Sequence, residues 1–112
     1  MENHLLQQLK KGVLEMLVLE LLCEDSSYGY ELMTKLKDRS EGLLAIKEGT
    51  LYPILYRLED EGMICASWSA GEGKTMPKKI YTATEMGQQE RLRRFEVWKQ
   101  FSHTVNKFYR EV

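Results

Sequence analysis

Between Leu5 and Leu22 the residues Leu6, Leu9, Val13, Leu17 and Leu21 return at steps of three and four, and Leu14, Met16, Val18 and Leu22 widen the stripe nearly all round. The spacing predicts a helix buried on most sides. Glu24-Asp25-Ser26-Ser27 breaks the pattern. The hydroxyl of Ser26 or Ser27 suits the cap of a second helix from about Tyr28 to Arg39, with Leu32, Met33 and Leu36 as its stripe. A connection from Ser40 to Lys47 leads to a third helix that starts between Glu48 and Thr50 and stops at Gly62. Its Pro53 falls near the start, where a missing amide costs least. Leu51, Leu55 and Leu58 stand at i, i+4 and i+7 and form its core face. Thr50, Tyr52, Tyr56 and Arg57 are left on the opposite side, with Glu59, Asp60 and Glu61 at the far end. Carboxylates there oppose the helix dipole and make that end a poor seat for phosphate.

After Gly62 the period changes from that of a helix to that of a strand. Met63 to Ser69 and Lys79 to Ala83 are predicted strands, joined by a loop from Ala70 to Pro77 with two glycines and a proline. Lys74, Lys78 and Lys79 make this a hairpin with a basic tip. A last helix is predicted from about Thr84 to about Arg110; Thr82 with Glu85 matches a capping box, and Thr84 is an equally good N-cap. Along it Leu92, Phe95, Trp98, Phe101, Val105, Phe108 and Val112 follow at steps of three or four. Three short helices and a hairpin cannot cover so long a seam, so part of it is expected to meet a second copy of the chain.

The 112 residues and 13.1 kDa are the size of one domain, and 43% apolar with 29% charged residues is ordinary folded usage. The net charge of −1 lacks the overall basic signature of many nucleic-acid binders. Its distribution says more: Glu15, Glu20, Glu24 and Asp25 cluster early, whereas no acid interrupts the run from Lys74 to Lys79. Met16 to Leu19 is the longest uncharged apolar stretch of the N-terminal segment, far short of the roughly 20 residues of a membrane span. No span and no signal peptide is read, which favours a cytoplasmic protein. Cys23 and Cys65 form no C-x-x-C and no metal-ligand spacing with His4 or His103, so they read as reduced, buried thiols, and no metal or other cofactor is expected. The histidines support no Ser/His/Asp set, and Gly71-Glu72-Gly73 lacks the lysine and hydroxyl of a phosphate loop. The chain does not read as an enzyme.

Three helices followed by a hairpin is the element order of a winged helix-turn-helix: a mainly α chain of the α+β class with a two-stranded wing. Residues 1–83 then form the DNA-binding unit and residues 84–112 a C-terminal dimerisation helix. In this architecture the third helix enters the major groove and the wing reaches a neighbouring groove or phosphate. Thr50, Tyr52 and Tyr56 are the candidate groove contacts, with Lys47 just before them; Lys74, Lys78 and Lys79 are candidate phosphate contacts, and Tyr28 a further one across the groove. Other readings stand beside these. Tyr52 and Tyr56 can pack on the second helix, Tyr28 can serve packing alone, and the wing lysines can be a solvated loop. Arg57 fits an internal salt bridge better than DNA, and Arg91, Arg93 and Arg94 fit a solvated face.

The runs Tyr28-Gly29-Tyr30-Glu31-Leu32 and Glu48-Gly49-Thr50-Leu51-Tyr52-Pro53-Ile54-Leu55-Tyr56-Arg57-Leu58-Glu59, with Gly62, the Gly-Glu-Gly wing and Lys79-Ile80-Tyr81, resemble the PadR family of bacterial transcriptional regulators. The resemblance runs from about residue 9 to about residue 100, and the chain's shortness is similar to the compact subfamily with one C-terminal helix. It implies a homodimer, operator DNA as partner and repression relieved by a small-molecule effector or stress signal. In that subfamily an aromatic near Trp98 lines a central pore where flat hydrophobic ligands stack. Phe95, Phe101 and Met16 would complete such a wall, while Trp98 can equally be dimer core. Two positions depart from the family's habit: Lys47 stands where a serine is frequent, and Glu85 where a proline often follows the threonine before the last helix. A reading from another class remains, a winged helix that binds a protein partner without sequence-specific DNA recognition.

Overall fold

A computed structural model describes residues 2–70, 73 and 76–110. The chain runs α1 (Glu2–Glu24), β1 (Ser27–Tyr28), α2 (Gly29–Arg39), α3 (Glu48–Asp60), β2 (Ile64–Trp68), β3 (Lys79–Ala83) and α4 (Glu85–Asn106). No helix among the described residues is long and apolar enough to cross a membrane.

The core is a leucine layer. Leu14, Val18, Leu19, Leu21 and Leu22 of α1 meet Leu32 and Leu36 of α2 and Leu51, Ile54, Leu55 and Leu58 of α3, and Ile64 and Tyr81 close it from the sheet. Full burial on α1 begins only at Leu14. Leu5 and Leu9 are 60% and 65% exposed, so the expectation of a helix buried on most sides holds for its C-terminal half alone. The cause is length: at about 1.5 Å per residue a 23-residue helix outruns what two short helices and a hairpin can cover.

The winged-helix architecture is present with one strand more than the hairpin predicted. β1 pairs with β3 through Ser27↔Tyr81 and Tyr28↔Ile80, giving a three-stranded antiparallel sheet in the order β1-β3-β2. A two-residue strand leaves no alternation to read. It also takes Ser26 and Ser27 away from the cap expected of them. Tyr28 is the N-cap of α2, and its N–H donates to the Glu31 carboxylate at 2.8 Å. Ser27 is buried, its hydroxyl accepting from the Lys35 ammonium at 2.9 Å, while the Ser26 and Thr82 hydroxyls pair at 2.9 Å across the sheet edge.

Gly62 ends α3 with φ at +76°, a left-handed turn in which Met63 N–H returns to the Leu58 carbonyl at 2.9 Å. Thr84 then starts α4: its hydroxyl accepts from Gly87 N–H at 3.1 Å and donates to the Gly62 carbonyl at 2.6 Å. Thr84, not Thr82, is therefore the cap, and the helix start is fixed without a proline at position 85. α4 stops at Asn106, short of the expected Arg110. It is joined to the body at Gly87, where a Cβ would fall 2.0 Å from the Met63 carbonyl oxygen. Leu92, Phe95, Phe101 and Phe108 are exposed, as are Trp98 and Val105, while Val112 lies outside the described residues. Of the two thiols, Cys23 is half-buried, and burial pushes its pKa up. Cys65 is exposed, against expectation, because strand alternation puts it on the sheet face away from the core.

Candidate nucleic-acid interface

α3 turns Leu51, Leu55 and Leu58 inward, which leaves Thr50 and Tyr56 exposed on the opposite side. Tyr52 is half-buried. Its hydroxyl lies against the backbone of Gly29 at the start of α2, and its ring centroid is 6.3 Å from that of Tyr56. The packing alternative for Tyr52 is thus what the geometry displays, with Thr50 and Tyr56 as the freer groups. Lys47 is the exposed N-cap residue of α3; its carbonyl accepts from Thr50 and Leu51 N–H, and its side chain makes no cap bond.

Two lysines of the wing lie over aromatic rings of the sheet. The Lys78 ammonium sits 5.2 Å from the centroid of the Tyr28 ring, and that of Lys79 lies 5.4 Å from the Tyr81 ring. Ser69 and Lys78 fasten the base of the loop, with Ser69 N–H donating to the Lys78 carbonyl at 2.8 Å and the Ser69 hydroxyl accepting from Lys78 N–H at 3.1 Å. Lys74 lies outside the described residues. Tyr81 is buried and its phenol is pushed up to about 12, first by desolvation and then by Tyr52, Glu59 and Tyr56 of α3, so it stays protonated at any physiological pH.

One residue that sequence reasoning passed over joins this surface. Trp68 is 69% exposed at the end of β2, opposite Lys79, and Ala66 stands opposite Tyr81. Trp68 and Lys79 therefore share the sheet face that carries Tyr81 toward α3. The signal was the period of two along β2, which puts Ile64, Ala66 and Trp68 on one side.

Five arginines are bonded to carboxylates. Arg57 bonds Glu15 at 3.2 Å, Arg39 bonds Glu24 at 2.6 Å and Arg91 bonds Glu20 at 2.8 Å; Arg93 and Arg94 both bond Glu90. Lys47, Lys78 and Lys79 make no ion pair with a carboxylate among the described residues. The internal pairing expected of Arg57 is thus present, while Arg91, Arg93 and Arg94, expected on a solvated face, are paired with Glu20 and Glu90.

Met16, Phe95 and Trp98 line one open groove of about 440 Å³ between α1 and α4, with the Glu20–Arg91 pair at its edge. Phe101 lines a neighbouring groove of similar volume that also includes Met16 and Trp98. The indole of Trp98, 38% exposed, lines both.

Residues 18–93 match the sequence profile of the Transcriptional regulator PadR-like family. A transcriptional regulator from Clostridium thermocellum superposes with a TM-score of 0.84 at 30% identity, covering 92% of this chain and 99% of that one. A PadR family transcriptional regulator from Eggerthella lenta gives 0.82 at 31% identity over 95% and 89%. The negative transcriptional regulator PadR of Bacillus subtilis is 33% identical over 78 residues, 70% of this chain. The structure of that protein in complex with operator DNA superposes with a TM-score of 0.66 at 31% identity over 74% of this chain. This chain spans less than half of the Bacillus protein, 42% of its sequence and 46% of its crystallised chain.

Proposed function

Because the chain belongs to the PadR-like family of transcriptional regulators, rather than to a family of enzymes, we propose that it is a cytoplasmic homodimeric repressor that reads a pseudo-palindromic operator. Residues 1–83 are its DNA-binding unit and residues 84–112 its dimerisation helix. Thr50 and Tyr56 face the bases or their phosphates, with Tyr52 held between them and α2. Lys47, Lys78, Lys79 and Lys74 neutralise phosphate, and Tyr28 braces Lys78.

The observation that carries the reading is the division of the cations. Arg39, Arg57, Arg91, Arg93 and Arg94 are bonded to carboxylates, whereas Lys47 at the head of α3 and Lys78 and Lys79 on the wing have no carboxylate partner among the described residues and are left for a polyanion. Phosphate contacts of this kind release counterions and supply affinity independent of sequence. The exposed seam of Leu92, Phe95, Trp98, Phe101, Val105 and Phe108 belongs to the dimer contact. It sets two copies of α3 one DNA turn apart, about 34 Å. A flat hydrophobic or phenolic effector enters beside Trp98, with Met16, Phe95 and Phe101, and relieves repression by favouring a dimer whose half-site spacing no longer fits. Its effect is limited to its differential affinity for the two geometries.

The test is fluorescence-anisotropy binding to the protein's own upstream DNA and to a scrambled duplex across salt concentrations. Tighter binding to the upstream duplex with a steep salt slope is the expected result. Equal or absent binding overturns the reading.

A further inference from the structure

The core stripe of α1 continues past the point where the core ends. Gln7, Lys10, Lys11 and Leu14 stand at i, i+3, i+4 and i+7 on one face of the helix. Leu14 is buried, Lys10 is half-buried, and Lys11 is exposed. One turn before the core, the positions that continue the line of Leu14, Val18 and Leu21 thus hold cations. They border the head of α3. Lys10, Lys11 and Leu14 line an open groove of about 650 Å³ together with Lys47, Thr50 and Arg57.

Four cations edge this groove, and the pairing within it is one-sided. Arg57 is neutralised by Glu15 at 3.2 Å. Lys10, Lys11 and Lys47 make no ion pair with a carboxylate among the described residues. Like charges gathered over an apolar floor repel one another and concentrate the field on whatever anion approaches. The positive end of the α3 dipole adds to the same field. Thr50, a candidate DNA contact, lies in the groove wall, so the patch is continuous with the face proposed to meet the operator.

We propose that Lys10 and Lys11 form a second phosphate-contacting edge of the DNA interface, on the α1 side of the head of α3. With Lys78 and Lys79 on the wing, the recognition helix is then flanked by cations from two distant parts of the sequence. The inference rests on the DNA-binding reading and extends it to α1, which the expected winged-helix contacts leave out.

The experiment measures anisotropy on the upstream and scrambled duplexes, from low to high salt, for the wild type, Lys10→Ala/Lys11→Ala, Lys10→Arg/Lys11→Arg and the control Lys37→Ala, at an exposed lysine of α2. Each variant is first checked for wild-type helicity and oligomeric mass. The alanine pair is expected to weaken both duplexes by a similar factor, about tenfold, and to make the salt slope shallower by about 1.8, or 0.9 for each lost contact. The arginine pair is expected to retain affinity and slope, and the control to stay within about twofold. An alanine pair with unchanged slope overturns the inference while leaving operator binding intact, as does a control that loses as much. A wild type that binds neither duplex overturns the DNA reading itself.

Discussion

The phenol of Tyr52 is seated on the backbone of Gly29, so close that a Cβ on the glycine would lie 2.7 Å from the hydroxyl oxygen and 3.2 Å from the ring carbon that bears it. α2 and α3 are keyed together by a side chain on one and the lack of a side chain on the other. Gly29→Ala is expected to destabilise the fold by about 1–3 kcal/mol through overpacking. Adding Tyr52→Phe removes the nearer clash and recovers part of that loss. Urea unfolding of the two single variants and the double variant measures the coupling, and strict additivity would disprove the contact.

Thr84 has two tasks, capping α4 and holding the Gly62 turn. Thr84→Ala removes both bonds and is expected to cost about 1 kcal/mol or somewhat more. Thr84→Ser keeps the hydroxyl and is expected to stay near wild type in thermal melts.

Lys78→Ala/Lys79→Ala should lower affinity for the upstream and scrambled duplexes alike and flatten the salt slope by about 1.8. Stability changes little, since each exposed cation–π contact contributes only about 0.5–1 kcal/mol. A double variant with wild-type slope would shift weight to a protein partner.

The aromatic seam of α4 gives the clearest assembly prediction. Phe101→Glu places a charge where a second copy would pack, and light scattering is expected to show the mass fall from twice the 13.1 kDa chain toward one chain. A chain that is already monomeric when unmutated would contradict the dimer.

Glu90 sets a pH dependence. Bonds from Arg93 and then from Arg94 hold its carboxyl down at about 2, against an ordinary value of 4.5. Its pairs therefore support the fold fully above about pH 4.5, and that support is lost as the pH falls toward 2. Glu90→Gln is expected to be less stable than wild type at pH 7 and to converge with it in acid; parallel curves across this window would show that the pairs contribute nothing.

Most of the secondary structure was legible because each element carries its own period. The leucine spacing of α3 and the β3 strand from Lys79 to Ala83 appear where the pattern put them. What escaped was set by neighbours distant in sequence. Ser27 and Tyr28 become a strand only because β3 lies beside them. Tyr52 turns from an open contact into a half-buried one because Gly29 leaves room for its ring. Lys10 and Lys11 read as polar residues on a helix until folding sets the α3 head against them. Leu9 belongs to the apolar stripe yet is exposed, because periodicity reports which side of a helix is apolar and not what covers it.

The Glu15–Arg57 and Glu20–Arg91 pairs have a mechanical consequence. α1 packs on α2, α3, β3 and α4, and these two bonds fasten it to α3 at one point and to α4 little more than a turn away. The direct ion pair between α3 and α4, Arg94 with Glu61, spans 4.0 Å. α1 is therefore a tie rod between α3 and α4, and Met16, which lines both grooves beside Trp98, lies between its two anchor points, Glu15 and Glu20.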